Sequence, residues 1–452
     1  MKALRIPIAS TLAACFLAMQ PVMADDIIKV YELASMTDPQ LRAARAEAQA
    51  AEAGQRVTRA SLLPTIEGSA GVTRVEQVRD ISFDENSASS SFRRESWQLQ
   101  LRQPIYNREL HMRTQQARSQ TERAQADLQV AQQDFLIRVA ETYFGVLRAE
   151  EALRFSEAEF RAIDRQLEQA QQRYEVGLIA ITDVHEARAS ADAARARVIV
   201  ARNQLDDAHE ALFELTGRYF DDLKRLSEDL QLERPNPDDP DRWVSTGMNN
   251  SPDIRALRAA LETAEDGIAI ARAGHWPSLG LQATRSGTDS GDAFDTSTST
   301  TIGVSLSVPL YSGGGTTADT RRASLQASAA SERLEQTSRR VNRDVRNAYR
   351  SVVAGISEVE ARELAVVSGR SALEATQAGF EVGTRTIVDT LISQQNLFNA
   401  ERQLADARFD YLLNWLRLHR AAGTLEVDAL QYIQGLLTDR ARDPVETVTQ
   451  ID

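Results

Sequence analysis

Two short stretches, Tyr174-Glu175-Val176-Gly177 and Phe380-Glu381-Val382-Gly383, decide the fold of this chain. Each closes a segment of about 70 residues that is rich in Ala, Gln, Glu, Arg and Leu and contains no proline. Glycine adopts positive φ easily, so a glycine after a long helical segment predicts a sharp turn into the next helix. The recurrence of the pattern 206 residues later predicts two copies of one long helical hairpin.

The duplication extends outward from these turns. Pro104-Ile105-Tyr106 recurs as Pro309-Leu310-Tyr311, and Asp38-Pro39 recurs as Ser251-Pro252. Turn-rich residues at 235–240 predict a linker with short helical pieces on either side. We therefore expect five segments: a signal peptide over 1–24, a first repeat over 25–217, a linker over 218–250, a second repeat over 251–423, and a C-terminal segment with a polar tail over 424–452.

Each repeat also carries two strands, joined by a polar loop, ahead of its long helix. In the first repeat Trp97, Leu99 and Leu101 alternate with polar residues. The apolar residues of the last strand alternate in the same way; they are Ile302, Val304, Leu306 and Val308. A period of two is typical of a strand whose two faces meet different environments. The predicted fold class is therefore mixed α and β, with four strands and several long helices per chain.

The helices carry the spacing of coiled coils. Leu397, Leu404, Tyr411 and Leu418 follow one another at intervals of seven, the spacing of a coiled-coil seam. At about 1.5 Å per residue, a helix of about 70 residues is roughly 100 Å long. A helix about half as long is expected after the first turn, over residues 181–216.

Composition excludes two classes of protein. The chain has 452 residues, with 65 Asp and Glu against 52 Lys and Arg, a formal net charge of −13. This acidic balance excludes a protein that binds along nucleic-acid phosphates, which requires clustered positive charge. Beyond residue 24 no run of 18 apolar residues occurs, so no transmembrane helix is expected.

The first 24 residues have the pattern of a secretory signal. Lys2 and Arg5 precede an apolar run, and Val22-Met23-Ala24 forms a small-residue cleavage site. The only cysteine, Cys15, also follows Leu12-Ala13-Ala14, which resembles a lipoprotein box and would place a lipid on Cys15. The apolar run continues past Cys15, which favours cleavage after Ala24 and a mature chain without disulfides.

Four strands leave two sheet edges without partners, whereas every backbone polar group inside a bilayer must be paired. Membrane barrels begin at eight strands, so one chain cannot close a barrel, but three copies would supply twelve strands. A homotrimer with a barrel and a helical tube is the favoured interpretation. A secreted coiled-coil scaffold or adhesin explains the helices but not the paired strands. A periplasmic adaptor would need a lipoyl-like or barrel domain, which the sequence does not indicate.

Three motifs resemble the TolC family of outer-membrane efflux proteins: the run from Arg173 to Val184, the run from Val382 to Asp389, and the strand end from Pro309 to Gly314. The resemblance covers almost the whole mature chain, including the duplication. It implies a homotrimeric barrel in the lipid of the outer membrane, continued by an α-helical tunnel through the periplasm. It also implies a passive exit channel that serves an inner-membrane efflux pump or ABC exporter through a periplasmic adaptor, in drug efflux, type I secretion or both.

The resemblance further implies a latch that holds the periplasmic end shut. Thr182 and Asp183 match latch positions on one helix, Arg385 matches the other side, and Gln166 is assigned to the same set. An ion pair between Arg385 and Asp183 is the main candidate, since such a pair is directional yet breakable. The alternative is an ordinary exposed pair worth less than about 1 kcal/mol. The family's tyrosine is replaced by Phe380, which cannot donate a hydrogen bond to Asp183.

Two further sets of residues follow from the resemblance. Asp389 matches the first of two aspartates at the narrowest point, but the second position is Ile392. A trimer would then carry three carboxylates there instead of six, which predicts cation preference with weaker block by multivalent cations. Adaptor docking is expected at the two helix turns, whose residues are Val176, Gly177, Leu178, Val382, Gly383 and Thr384. The alternative for the two glycines is that they only make the turns.

Neither a catalytic site nor a cofactor or metal site is expected. The histidines lack ligand spacing; they are His111, His185, His209, His275 and His419. Gly313-Gly314-Gly315 lacks the lysine of a phosphate-binding loop and is expected to free the backbone where a strand becomes a helix. The protein is therefore not expected to be an enzyme, and the energy for transport must come from a partner.

Overall fold

The computed structural model of the protein describes residues 25–79, 88–220, 222–227, 230–289 and 296–438. The expected signal peptide with Cys15 and the polar tail from residue 439 lie outside the described residues. Part of each polar loop between the strands, at 80–87 and 290–295, also lies outside them.

From the first helix to the returning helix, the elements occur in the same order in both halves of the chain. The first half contains α1 (Ile27–Thr37), α2 (Pro39–Ala60), β1 (Thr65–Arg79), β2 (Ala88–Asn107), α3 (Arg108–Glu175) and α4 (Ile181–Thr216). The short strand β3 (Arg225–Leu226) follows. The second half contains α5 (Pro240–Asn250), α6 (Pro252–Ala273), β4 (Ser278–Asp289), β5 (Ser297–Ser307), α7 (Gly315–Glu381), α8 (Ile387–Ala421), α9 (Val427–Gly435) and β6 (Leu437–Thr438).

Corresponding helices in the two halves have nearly the same length. The long helices α3 and α7 have 68 and 67 residues, and the helices that return from them, α4 and α8, have 36 and 35. The strands differ more, since β2 has 20 residues and β5 has 11. The mixed fold of two duplicated halves, four strands and long helices is therefore confirmed.

Proline sets the start of the helix that leads into each strand pair. Pro39 begins α2 and Pro252 begins α6, where the missing N–H of proline has no consequence. Asp38 caps α2 by accepting a hydrogen bond from the Leu41 backbone N–H at 2.9 Å. Both helices have 22 residues. They end before Pro64 and Pro277, because a proline disfavours helical backbone at the residue that precedes it.

The linker differs from the sequence-based expectation of helical pieces on both sides of 235–240. Helix α5 begins at Pro240, but the described residues between the end of α4 and residue 235 contain β3 and no helix. Arg225 and Leu226 pair antiparallel with Thr438 and Leu437 of β6. The backbone of residues 225–226 thus forms hydrogen bonds with the C-terminal segment. The local sequence could not indicate this pairing.

The four long strands form one antiparallel sheet in the order β1-β2-β4-β5. The sheet therefore joins the two halves where β2 pairs with β4, and β1 and β5 lie at its edges. Residues opposite each other in the register share a face. One face is mainly apolar; it carries Ile66, Ala70, Val72, Trp97, Leu99, Leu101, Leu281, Ala283, Ile302, Val304 and Leu306. The other is polar; it carries Glu67, Ser69, Gln98, Gln100, Arg102, Gln282, Thr284, Ser286, Thr301, Ser305 and Ser307.

The apolar face has the dimensions of a membrane band. A register shift between Pro104 and Tyr106 places Tyr106 opposite Leu279, on the apolar face. From Trp97 to Tyr106 the strand covers roughly 30 Å, which becomes about 21 Å at the tilt of membrane strands. This height is close to the ~25 Å apolar band of outer-membrane barrels. Polar side chains interrupt this face at Arg285 and Thr300, in the row of Leu99, and at Gln103, opposite Leu281.

The helices bury two separate hydrophobic clusters. The larger cluster surrounds Tyr143 of α3, which is fully buried and whose hydroxyl donates to the Lys224 carbonyl oxygen at 2.8 Å. Leu397, Tyr411 and Leu418 of the expected seam are buried on α8. The smaller cluster lies near the helix turns and includes Ile163 of α3. No helix in the described ranges is both long enough and apolar enough to cross a membrane.

Candidate functional site

The turn between α3 and α4 is closed by backbone hydrogen bonds around Gly177. The Leu178 N–H donates to the Arg173 carbonyl oxygen at 2.9 Å, and the Gly177 N–H donates to that of Tyr174 at 2.9 Å. Gly177 has a φ of 77°. This arrangement is the Schellman motif, which needs a residue with left-handed backbone at its second-last position.

The turn between α7 and α8 repeats this geometry. The Thr384 N–H donates to the Gly379 carbonyl oxygen at 2.9 Å, and the Gly383 N–H donates to that of Phe380 at 3.2 Å. Gly383 has a φ of 78°. A Cβ atom placed on Gly177 or on Gly383 would meet no other atom within 4 Å. Both glycines are therefore needed for the turn and are open to an approaching surface.

The helices that leave the two turns begin differently. Thr386 and Asp389 form a capping box at α8: the Asp389 carboxylate accepts hydrogen bonds from the Thr386 backbone N–H at 3.0 Å and from its hydroxyl at 2.9 Å. These bonds lower the pKa of Asp389, with a smaller contribution from Arg385. At α4 the corresponding residue is Ala180, and no side chain caps the helix.

Arg385 and Asp183 do not pair within one chain. The described part of this chain contains no ion pair or hydrogen bond between their side chains. The Arg385 side chain instead lies against Gly379, where an added Cβ would be 2.7 Å from Arg385 Cγ. Arg385 and Thr182 are exposed and Asp183 is half-buried. Their joint role in a latch stays a prediction.

Gln166 does link the two halves, but through a residue that sequence reasoning missed. Its side-chain N–H donates to the Gln394 Oε1 of α8 at 2.6 Å, while its own Oε1 is buried without a partner in the described structure. Gln394 is 7% exposed and Thr390 is 3% exposed, which is unusual for polar residues near a helix end. No pattern in the sequence indicated the contact between Gln166 and Gln394, because it joins residues 228 apart along the chain.

Phe380 also has a partner that the sequence did not indicate. The Arg173 guanidinium lies over the Phe380 ring, 4.6 Å from its centroid. Ile392 is 51% exposed, one helical turn after Asp389 on the same side of α8.

In the described residues no group of three or more His, Cys, Asp or Glu side chains is placed to hold a metal ion.

Comparison with known proteins gives the family. The family described as outer membrane efflux protein matches residues 30–218 and 243–424. The chain belongs to this family. It is similar to outer membrane protein TolC of Vibrio cholerae, with 38% identity over 92% of this chain and 94% of that protein. It is also similar to the alkaline protease secretion protein AprF of Pseudomonas aeruginosa, with 29% identity over 97% of this chain and 96% of that protein.

Solved structures share the fold of this efflux protein. The outer membrane channel CmeC of Campylobacter jejuni matches with a TM-score of 0.78 over 96% of this chain and 97% of that chain, at 18% sequence identity. Together with the family, this makes the protein an outer-membrane channel protein that reaches into the periplasm, and not an enzyme.

Proposed function

We propose that three copies of this efflux protein form a passive exit channel from the periplasm through the outer membrane. The observation that carries the proposal is the sheet: one face is mainly apolar over the height of a membrane band, the other is polar, and two edges are left for pairing. Three such sheets joined edge to edge make a twelve-stranded barrel with a polar lumen and no free edge.

The long helices supply the second half of the path. Helices α3 and α7 have 68 and 67 residues, so each extends roughly 100 Å away from the barrel. Three protomers would place six helical hairpins around the barrel axis as a tunnel. Its far end carries the two helix turns, which would therefore be the part that an inner-membrane partner meets.

The latch in this proposal joins neighbouring protomers. Arg385 is exposed and has no carboxylate partner within the described part of its own chain. We therefore place the latch between Arg385 of one protomer and Thr182 and Asp183 of the partner subunit. Within one protomer, Gln166 and Phe380 connect the two halves. Asp389 would place one carboxylate per protomer at the constriction, with Ile392 beside it. The hydrogen bonds that lower the pKa of Asp389 keep this carboxylate ionised.

Single-channel conductance in a planar bilayer tests the channel and the latch together. We expect small, cation-selective currents from the wild type and larger currents from Arg385→Ala. Arg188→Ala, which removes another exposed arginine on α4, is the matched control and should conduct like the wild type. Equal currents in all three would keep the channel but remove Arg385 from the latch. No current from a trimeric wild-type sample, or a monomeric mass in mild detergent, would contradict the channel.

The proposed partners are a periplasmic adaptor and an inner-membrane pump or ABC exporter, with docking at the two helix turns. Gly177→Asn and Gly383→Asn add a side chain while asparagine tolerates the left-handed backbone of the turn. We expect an intact trimer with normal conductance but loss of export and of adaptor crosslinking. Gly54→Asn, at an equally open glycine on α2, should leave export unchanged. Normal export in both turn variants would show that these glycines only shape the turns.

A further inference from the structure

Near the helix turns, a contact between an arginine and an aromatic ring joins the two halves of the protein. Arg173 lies in the last turn of α3, and Phe380 lies in the last turn of α7. The Arg173 guanidinium is 4.6 Å from the centroid of the Phe380 ring, within the range of a cation–π interaction. Both side chains are half-buried, so water screens the contact less than it would at an open surface.

A polar cavity interrupts the apolar packing between the helices at this level. The cavity has a volume of about 290 Å³ and lies between α3, α7 and α8. Its lining is largely polar and comprises, among others, Arg165, Gln166, Gln169, Gln377, Thr390 and Gln394. Beside the apolar packing, the hydrogen bond from Gln166 to Gln394 and the stacking of Arg173 on Phe380 cross this cavity. Where a cavity interrupts the packing, side chains that cross it supply a larger share of the contact between the helices.

The two halves differ at the positions that make this contact. In the repeat, Arg173 corresponds to Gly379 and Tyr174 corresponds to Phe380. Gly379 leaves room for the Arg385 side chain, so that arginine stays on its own turn. Arg173 instead reaches the other half, and within the described residues it makes no ion pair. Its charge is therefore directed to an aromatic face that has no hydroxyl.

We propose that Arg173 is a positioning residue of the gate, whose guanidinium holds Phe380 and so ties α7 to α3 in the closed channel. The contact takes the place of the hydrogen bond that a tyrosine at position 380 would make. Opening of the gate moves α7 away from α3 and breaks the contact. This inference rests on the proposed channel function, since a gate requires a pore.

The test compares variants of both partners in planar-bilayer recordings of the full trimer. Arg173→Gln removes the charge and Phe380→Leu removes the aromatic face; each should raise the open probability at least about fivefold. Phe380→Trp keeps and strengthens the face, so it should gate like the wild type. Arg165→Gln, in the lining of the same cavity but without a ring contact, is the control and should also gate like the wild type.

The double variant Arg173→Gln/Phe380→Leu separates a direct contact from two independent effects. If the two residues act on each other, its open probability stays within about twofold of the larger single variant. Fully multiplied effects, or equal leakage from Phe380→Leu and Phe380→Trp, would overturn the role of Arg173. If the charge of Arg173 only stabilised the C-terminus of α3, the effect of Arg173→Gln on open probability would not depend on the side chain at position 380. No current from a trimeric wild-type sample would instead contradict the channel itself.

Discussion

The two helix turns have the same backbone and different side-chain roles. Both close through a glycine, with φ values of 77° and 78° and the same pattern of hydrogen bonds. At the second turn Asp389 is bound to Thr386 of its own helix, whereas Asp183, at the corresponding position of the first turn, has Ala180 before it and caps nothing. A duplicated backbone thus leaves one carboxylate committed within the chain and the other available to a partner subunit.

The opposite ends of the returning helices show the same contrast. Gly217 ends α4 and Gly423 follows α8, with φ values of 69° and 70°. A Cβ on Gly217 would lie 3.9 Å from Thr37 Cγ2, whereas one on Gly423 would lie 2.7 Å from the Asn250 carbonyl carbon. Both halves therefore need glycine here for its positive φ. Only in the second half does the neighbouring backbone also leave no room for a Cβ atom.

The largest effect is expected from Gly423→Ala. Left-handed backbone destabilises alanine by about 1 to 2 kcal/mol at either site, and the overlap with the Asn250 backbone adds roughly 1 to 3 kcal/mol at position 423. Gly217→Ala is the matched control, and its free energy of unfolding should fall only by the cost of the left-handed backbone. Thermal unfolding of the two purified variants measures the difference. Equal losses would mean that the segment around Asn250 shifts freely, and that the halves are packed alike here.

We expect His419 to make the stability of the second half depend on pH. The corresponding residue of the first half is Phe213, which does not titrate. His419 is packed between Trp243 and Trp415, and burial lowers its pKa from 6.5 to about 4. The unfolded chain takes up a proton below pH 6.5 while the folded chain stays neutral, so stability falls as the pH falls. The loss between pH 7 and pH 5 is about 2 kcal/mol per protomer.

His419→Phe places the residue of the first half in the second and should remove this contribution. Unfolding curves at pH 7 and pH 5 would then lie closer together than those of the wild type. His275→Gln alters an exposed histidine and serves as the control, with the wild-type dependence retained. An unchanged gap between the two pH values in His419→Phe would assign the acid sensitivity to other groups.

The elements that the sequence predicted are those fixed by local patterns. Gly177, Gly383 and the proline-free segments before them were enough to predict both long helices and their turns, because helix ends are encoded by neighbouring residues. The alternation around Leu99 predicted the strands in the same way. The need to close a barrel from four strands per chain predicted three copies. The family resemblance supplied the latch residues, which no pattern within one chain could give.

What the sequence did not predict depends on residues that are distant along the chain. The pairing of Leu226 with Leu437 replaced an expected helix, since the partner strand lies more than 200 residues away. The contacts of Arg173 with Phe380 and of Gln166 with Gln394 likewise join the two halves. Such contacts follow from how the hairpins pack, and single-sequence patterns carry no information about that packing.

The smallest effect concerns the caps of α4 and α8, and it tests the contrast between Asp183 and Asp389 directly. Thr386→Ala removes a capping side chain and should destabilise the second turn by about 1 kcal/mol, seen as faster amide hydrogen exchange in the first turn of α8. Ala180→Thr should give α4 a capping box with Asp183 and slow exchange there by a similar free energy. Because that box would occupy the Asp183 carboxylate, the variant should also conduct more than the wild type if Asp183 belongs to the latch. Ala180→Val, which has the same shape without the hydroxyl, is the control for the added side chain. Slower exchange with unchanged conductance would keep the cap and remove Asp183 from the latch; no change in exchange would mean that the two turns differ in more than their caps.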